Sequence, residues 1–393
     1  MDRLQKIRLF KKLNKAERYF DFSLLFVVIL LTLFGILMIF SASSYEANAA
    51  FENPAHYLIR QSIAAGIGFV LLVASSFFPY KYFRKIPAWV YYAIALLFVL
   101  LLLVPGITKE GGGATRWIKL FGGFNIQPAE IAKFCIILCY AKFMSGYNYI
   151  LKKWQGIAVA LGLLFPLVMA IWKISDNLSS ALIVLGIVYL MCFIASGEWK
   201  KFAILTAGMG GVAALFVFLV VRFVDPYSEG LGFRLRRIIA WIHPEYFQDS
   251  TSYQTIQSLY AIGSGGLFGK GIGESMQKLS YIPEAQNDMI FAIICEELGL
   301  FGALGVITLF VILLWRLMTI AYNTKDLFGA LIVVGVFAHI AIQAVMNIAV
   351  VTNTMPNTGV SLPFISYGGS SILFLMIEIG IVLNIASQIK VKE

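Results

Sequence analysis

The chain has 393 residues, 60% of them hydrophobic and only 13% charged, against about 25% charged in a typical soluble domain, so water is not its main solvent. Its formal net charge of +10 would suit nucleic acid, but the basic residues fall in short clusters between apolar stretches and not along one amphipathic face, which is a topology signal. Cys135, Cys139, Cys192 and Cys295 all lie in apolar stretches, without metal-ligand spacing to His56, His243 or His339.

In chain order, a basic segment at 1–21 precedes an apolar run from Phe22 to Phe40. That run approaches the roughly 20 residues a bilayer requires and lacks a small-residue cleavage site, so it predicts a retained first helix. Spanning segments are expected at about 22–41, 61–79, 88–105, 127–145, 156–173, 178–196, 202–222, 289–315, 328–350 and 367–388. The expected fold is an all-α integral membrane protein of about ten transmembrane helices, organised as one polytopic domain over 1–393 with a tail at 388–393. With both termini cytoplasmic, every inner segment is basic: Arg3 to Arg18, Lys81 with Arg84 and Lys85, Lys142 with Lys152 and Lys153, Lys200 with Lys201, Arg316 with Lys325, and Lys390 with Lys392.

The outer side then receives a Gly-rich stretch at 106–125, a large loop at 223–287 and a loop at 351–366. A connection of that second length exceeds what packing needs, which marks it as functional or disordered. Its "FRLRRIIAWI" and "YQTIQSLYAI" carry apolar residues at helical spacing and predict interfacial helices.

Charged groups at membrane depth need a partner or a wet cavity, since each costs at least about 2.5 kcal/mol to desolvate. Glu130 and Lys133 share a helix face at i,i+3 and read either as an internal ion pair or as part of a site. Asp288 stands at the outer start of the eighth helix, where partial shielding raises a carboxylate pKa and suits a general base; the alternative is a helix-end carboxylate favoured by the dipole. Glu296 and Glu297 fall about 12 Å deeper at 1.5 Å per residue and read as structural, as does Glu378, for which the sequence offers no partner. Arg116 and Trp117 follow three glycines, and an arginine fork suits phosphate oxygens. Arg234, Arg236 and Arg237 put three cations at the outer interface, facing either a pyrophosphate or anionic headgroup, or water. "PNTGVSLPFISYGGSS", 356–371, breaks the backbone before the last helix, which is tolerated at membrane depth only when buried or lining a cavity.

"SGGLFGKGIGESMQKLSYIPEAQNDMIFAIICEELG" and "GVSLPFISYGGSS" resemble the signatures of the SEDS family (shape, elongation, division and sporulation), the FtsW and RodA proteins. "ILMIFSASS", Arg60–Gln61, "TRWIKL", "IQPAEIAK", "FRLRR" and "YQTIQS" match in the same order along the chain. The resemblance implies a ten-helix, inverting peptidoglycan glycosyltransferase that forms β-1,4 linkages from lipid II outside the bacterial cytoplasmic membrane. Implied partners are a class B penicillin-binding protein, other divisome or elongasome membrane proteins and membrane lipids, with no nucleic acid. It places the catalytic aspartate on Asp288. Lys133 matches a lysine that can pair with that aspartate, alongside Glu130; Arg116, Arg234 and Arg237 are candidate phosphate contacts, Trp117 a cavity wall, and Ser366 and Gly368 part of the surrounding loop. A divalent cation, Mg or Mn, is a possible cofactor by the same resemblance, with no organic cofactor expected.

Two departures matter: "DNLSSA" at Asp176–Ala181 puts Asn177 where relatives carry an aspartate, and "IHPEY" puts His243 in the outer loop. "MPNTGVS" with "LPFISYGGSS" leans toward the division branch, FtsW, over the elongation and sporulation branches. The competing readings are a lipid II flippase, built from the same intramembrane ions, and a scaffold that only activates a penicillin-binding protein.

Overall fold

The apolar runs become helices because a peptide group unpaired in hydrocarbon costs several kcal/mol, and a helix pairs its own. The computed structural model of the chain describes residues 20–111, 114–119, 125–224, 232–247, 252–279 and 281–389. Its helices, in order, are α1 Phe22–Phe51, α2 His56–Phe77, α3 Lys81–Lys85, α4 Ala88–Leu100, α5 Pro128–Tyr147, α6 Trp154–Ile174, α7 Leu178–Ser196, α8 Trp199–Phe223, α9 Phe233–Ile242, α10 Tyr253–Gly265, α11 Ile290–Asn323, α12 Leu327–Val351 and α13 Gly369–Ala386. Among the described residues eight of them, α1, α2, α6, α7, α8, α11, α12 and α13, are long and apolar enough to cross a membrane. The remaining two expected spans also coincide with helices: α4 is extended by a single 3₁₀ turn, Leu101–Leu103, and the 20-residue α5 carries Glu130, Lys133 and Lys142.

α12 occupies the centre, packed against α5, α7, α10, α11 and α13, while α13 lies along α2, and α1 bridges α2 and α11. In α12 and α13, 72% of the most apolar stretch is buried, against 6% in α8, which stands at the edge. Polar staples tie the expected inner ends. Asp21 caps α1 by accepting from Leu24 N and pairs with Arg316 at 2.6 Å, and Arg84 pairs with Asp326 at 2.5 Å. All four cysteines are buried.

The outer Gly-rich stretch differs from expectation. Thr108–Gly111 (β1), Ala114–Lys119 (β2) and Asn125–Ile126 (β3) form a small antiparallel sheet in that order, with Lys109 opposite Trp117 and Ile118 opposite Ile126. The all-α class stands, and this short sheet is its single addition among the described residues. Thr, Trp and Ile favour a pleated surface, and an open sheet edge fits the expected placement of this stretch in water. The 352–368 segment is irregular and largely buried, with Leu362, Phe364 and Ile365 nearly inaccessible. Gly35 of α1 lets it approach: a Cβ there would meet Phe364 O at 2.6 Å.

Candidate active site

The segment from Gly266 to Asp288 doubles back over the start of α11. Gly299 takes φ 67°, ψ −163° and kinks that helix, and the loop's own backbone fills the gap. Lys270 N donates to Glu296 O and Gly271 N to Glu297 O, each at 2.9 Å. Glycines are required there, because a Cβ on Gly265 or Gly269 would run into the carbonyl oxygens of Cys295 or Glu297.

Both glutamates at the kink are fully buried and richly partnered. Glu296 accepts from Lys270 Nζ at 2.6 Å, Met276 N at 3.1 Å and the Ser275 hydroxyl. Glu297 accepts from Ser41 of α1 at 2.6 Å and from Lys278 Nζ at 3.2 Å. The structural reading of this pair holds, with the partners drawn mostly from the outer loop.

Asp288 is different. It is part-exposed, two residues before α11, on a turn in which Glu284 adopts φ 47° and Asn287 N donates to Glu284 O. Its carboxylate accepts a long hydrogen bond from Gln254 Nε2 of α10 at 3.4 Å and also interacts with its own backbone N–H. Burial pushes its pKa up to about 6; nearby Glu284 adds to the rise, and the Arg237 guanidinium and Gln254 oppose it. A carboxylate enclosed by protein yet reached by water, half ionised near pH 6, is poised to take a proton.

Around it stand the partly buried Arg237 and Trp241 of α9, whose side chains donate to Asn357 O at 3.1 Å and Asn353 O at 2.9 Å. These residues, with Ala240, Ser252, Thr255, Asn353 and Asn357, line a shallow, open surface cleft. Gly359 lies against Asp288: a Cβ there would sit 3.6 Å from Oδ2. Across the loop, Ser179 at the start of α7 donates to Thr358 O at 2.5 Å. Arg116 of β2 donates to Asp176 O at 3.1 Å, and Trp117 is half-buried beside it. The outer loop, the sheet and the start of α7 thus converge on one mouth.

Other expected residues are used differently. Lys133 is buried and pairs with Glu130 at 2.7 Å, not with Asp288. The i,i+3 spacing makes that pair the cheapest way to neutralise a lysine inside α5. Ser366 and Gly368 shape the last loop: Ser366 Oγ accepts from Leu362 N at 2.7 Å, and Gly368 N donates to Gln61 Oε1 at 3.2 Å. Arg234 lies in α9, and its side chain falls outside the described residues. Asn177, the departed position, caps α7 by accepting from Ser180 N at 2.9 Å, a duty an aspartate performs equally well. Glu378 has a partner the sequence did not reveal, His339 Nδ1 at 2.9 Å on α12. Gln254, Asn347 and Asn357, which organise the Asp288 neighbourhood, are neutral amides and carry no charge to draw attention.

Among the described residues no three His, Cys, Asp or Glu side chains gather as a metal-ligand set. Glu284, the nearest acidic neighbour of Asp288, has its carboxylate engaged by Asn287 Nδ2 at 2.8 Å.

Fold and site together define a multi-pass membrane protein with a carboxylate-and-arginine site at one end of its helical bundle. The profile of the FtsW, RodA and SpoVE family, described as cell cycle proteins, matches residues 22–391, and the chain belongs to that family. It is 35% identical over 383 residues to a probable peptidoglycan glycosyltransferase FtsW of Geobacter metallireducens, covering 96% of this chain and 97% of that one. It is 37% identical over 369 residues to the stage V sporulation protein E of Bacillus subtilis, covering 93% and 96%. Among solved structures, a chain from work on the structural coordination of polymerization and crosslinking by a peptidoglycan synthase complex superposes with a TM-score of 0.75. It is 27% identical, covering 93% of this chain and 97% of that one.

Proposed function

We propose that this chain is a peptidoglycan glycosyltransferase that polymerises lipid II at the outer face of the cytoplasmic membrane, with Asp288 as its general base. Membership of the family and the names of its relatives support the activity. The observation that carries the role of Asp288 is its environment: a part-exposed carboxylate at the mouth, without, among the described residues, a lysine or serine partner such as Glu296 and Glu297 have, and with its pKa raised to about 6 by burial.

In this reading Asp288 removes the proton from the acceptor sugar's 4-hydroxyl. The freed oxygen attacks the anomeric carbon of the donor with inversion, the bond to undecaprenyl pyrophosphate breaks, and the proton passes from Asp288 to outer water. Pyrophosphate is a good leaving group and needs cations more than a general acid. Arg237 and Arg116 supply fixed positive charge at the mouth, and Arg234 belongs to the same helix as Arg237. A divalent cation arriving with the substrate would add charge stabilisation to the pyrophosphate and leave Asp288 free to act as the base. Polyprenyl chains would run in the hydrophobic grooves between helices, and the loosely packed flank of α8 offers such a surface. A class B penicillin-binding protein is the proposed partner, in line with the complex that couples polymerization to crosslinking. The division branch is the proposed setting, on the FtsW relatives; the sporulation relative is as similar.

Purified protein with its cognate penicillin-binding protein, given labelled lipid II, tests this directly. Wild type is expected to build long glycan strands, while Asp288→Ala and Asp288→Asn bind lipid II and build none. Normal polymerisation by both variants would remove Asp288 from the chemistry. A wild type that makes no glycan but moves lipid II across vesicles would replace the enzyme by a flippase.

A further inference from the structure

Asn347 is completely buried on α12, the most enclosed helix of the bundle together with α13. Its Nδ2 donates two hydrogen bonds of 2.7 Å, one to the carbonyl of Asp288 and one to the carbonyl of Val360. Both partners only accept, so the chemistry fixes which end of the amide is nitrogen. Its Oδ1 is buried without a partner among the described residues, so all the hydrogen bonding of this side chain goes to the two loops.

Those loops close a circuit. Asn357, three residues before Val360, donates to Gln254 Oε1 at 3.0 Å, and Gln254 Nε2 reaches both Pro283 O at 3.2 Å and Asp288 Oδ1 at 3.4 Å. One amide therefore grips the backbone of Asp288 from below, and another orients its carboxylate from the side.

We infer that Asn347 is a positioning residue for the transferase reaction, fixing Asp288 to the rigid centre of the bundle so that its carboxylate meets the acceptor hydroxyl; this rests on the reading of Asp288 as the base. A loop carboxylate without such an anchor drifts, and a displacement of about 1 Å at a reacting group costs roughly 100-fold in rate. The charged groups facing Asp288 are Glu284 on its own loop and Arg237 from α9. α10 carries only the tyrosines Tyr253 and Tyr260, the 353–360 segment no titratable group, and on α12 the sole ionisable group is His339, two turns below Asn347 and paired with Glu378.

The test compares wild type, Asn347→Asp, Asn347→Ser and Asp288→Asn in lipid II polymerisation between pH 5 and 8, alongside thermal unfolding. Asn347→Asp keeps the shape but turns two donors into acceptors, and its charge opposes ionisation of Asp288. The expected result is a kcat lowered about 10- to 100-fold in both Asn347 variants, with KM for lipid II within about twofold. In Asn347→Asp the rising limb of the pH–rate profile also moves up by about half a unit or more.

Wild-type kcat in both variants would overturn the inference, as would activity that falls only in step with the folded fraction at an unchanged pH midpoint. If Asn347→Asp does not accumulate, the smaller Asn347→Ser, which keeps one donor, decides; if neither does, Asn347 is a folding residue and the inference fails. An active Asp288→Asn would sink the base and the positioning role together. An inactive Asp288→Asn beside unaffected Asn347 variants sinks the positioning role alone.

Discussion

Two carboxylate sites stand eight or nine residues apart and are built in opposite ways. Glu296 and Glu297 have no exposure, and each is matched by a lysine and a serine. Asp288 is part-exposed, with a long side-chain hydrogen bond from Gln254 and a raised pKa. Saturating a buried charge makes it inert and strengthens the kink on which the outer loop rests. Leaving one under-partnered at a wet mouth keeps it reactive, at some cost in stability.

Activity breaks or upholds this contrast most strongly. Asp288→Asn should lower polymerisation by about 10²- to 10⁴-fold, the usual worth of a general base, without loss of folded protein. Glu297→Ala should act on folding instead. It leaves the Lys278 ammonium, 8% exposed, without its carboxylate, and breaking a buried pair costs about 3–5 kcal/mol; unfolding in detergent measures it. Retained stability in Glu297→Ala would mean that the clamp is not structural.

The pH response sharpens the comparison. A base must be ionised, so the rate should fall about tenfold per unit below pH 6, the region to which Asp288 is pushed. The stability sign is opposite. A carboxylate with a raised folded pKa is neutral in both states below about pH 4, and it penalises the fold increasingly as pH rises to about 6. Asp288→Asn should therefore raise the unfolding temperature at pH 7.5 by a few degrees while abolishing activity. The smallest effect is expected from Gln254→Ala. Loss of one long bond to the ionised carboxylate should move the pH midpoint up by a few tenths of a unit.

Much of the architecture was legible because its causes are local. Apolar length gives the spans, and "FRLRRIIAWI" and "YQTIQSLYAI" form α9 and α10 as their spacing requires. The position of Asp288 just ahead of α11 was legible for the same reason, as a carboxylate at the start of an apolar run. The pairing of Lys133 with Glu130 followed from spacing, whereas its link to Asp288, implied by resemblance, is absent.

The sequence by itself determined that this is a multi-pass membrane protein, because hydrophobic length acts along the chain. Only the tertiary structure decided which neutral amides brace Asp288, that His339 answers Glu378, and that lysines from an outer loop saturate Glu296 and Glu297. Those contacts join residues separated by 19 to 59 positions. Hydrogen-bond partners at such separations depend on where helices pack and kink, which no single stretch of sequence encodes.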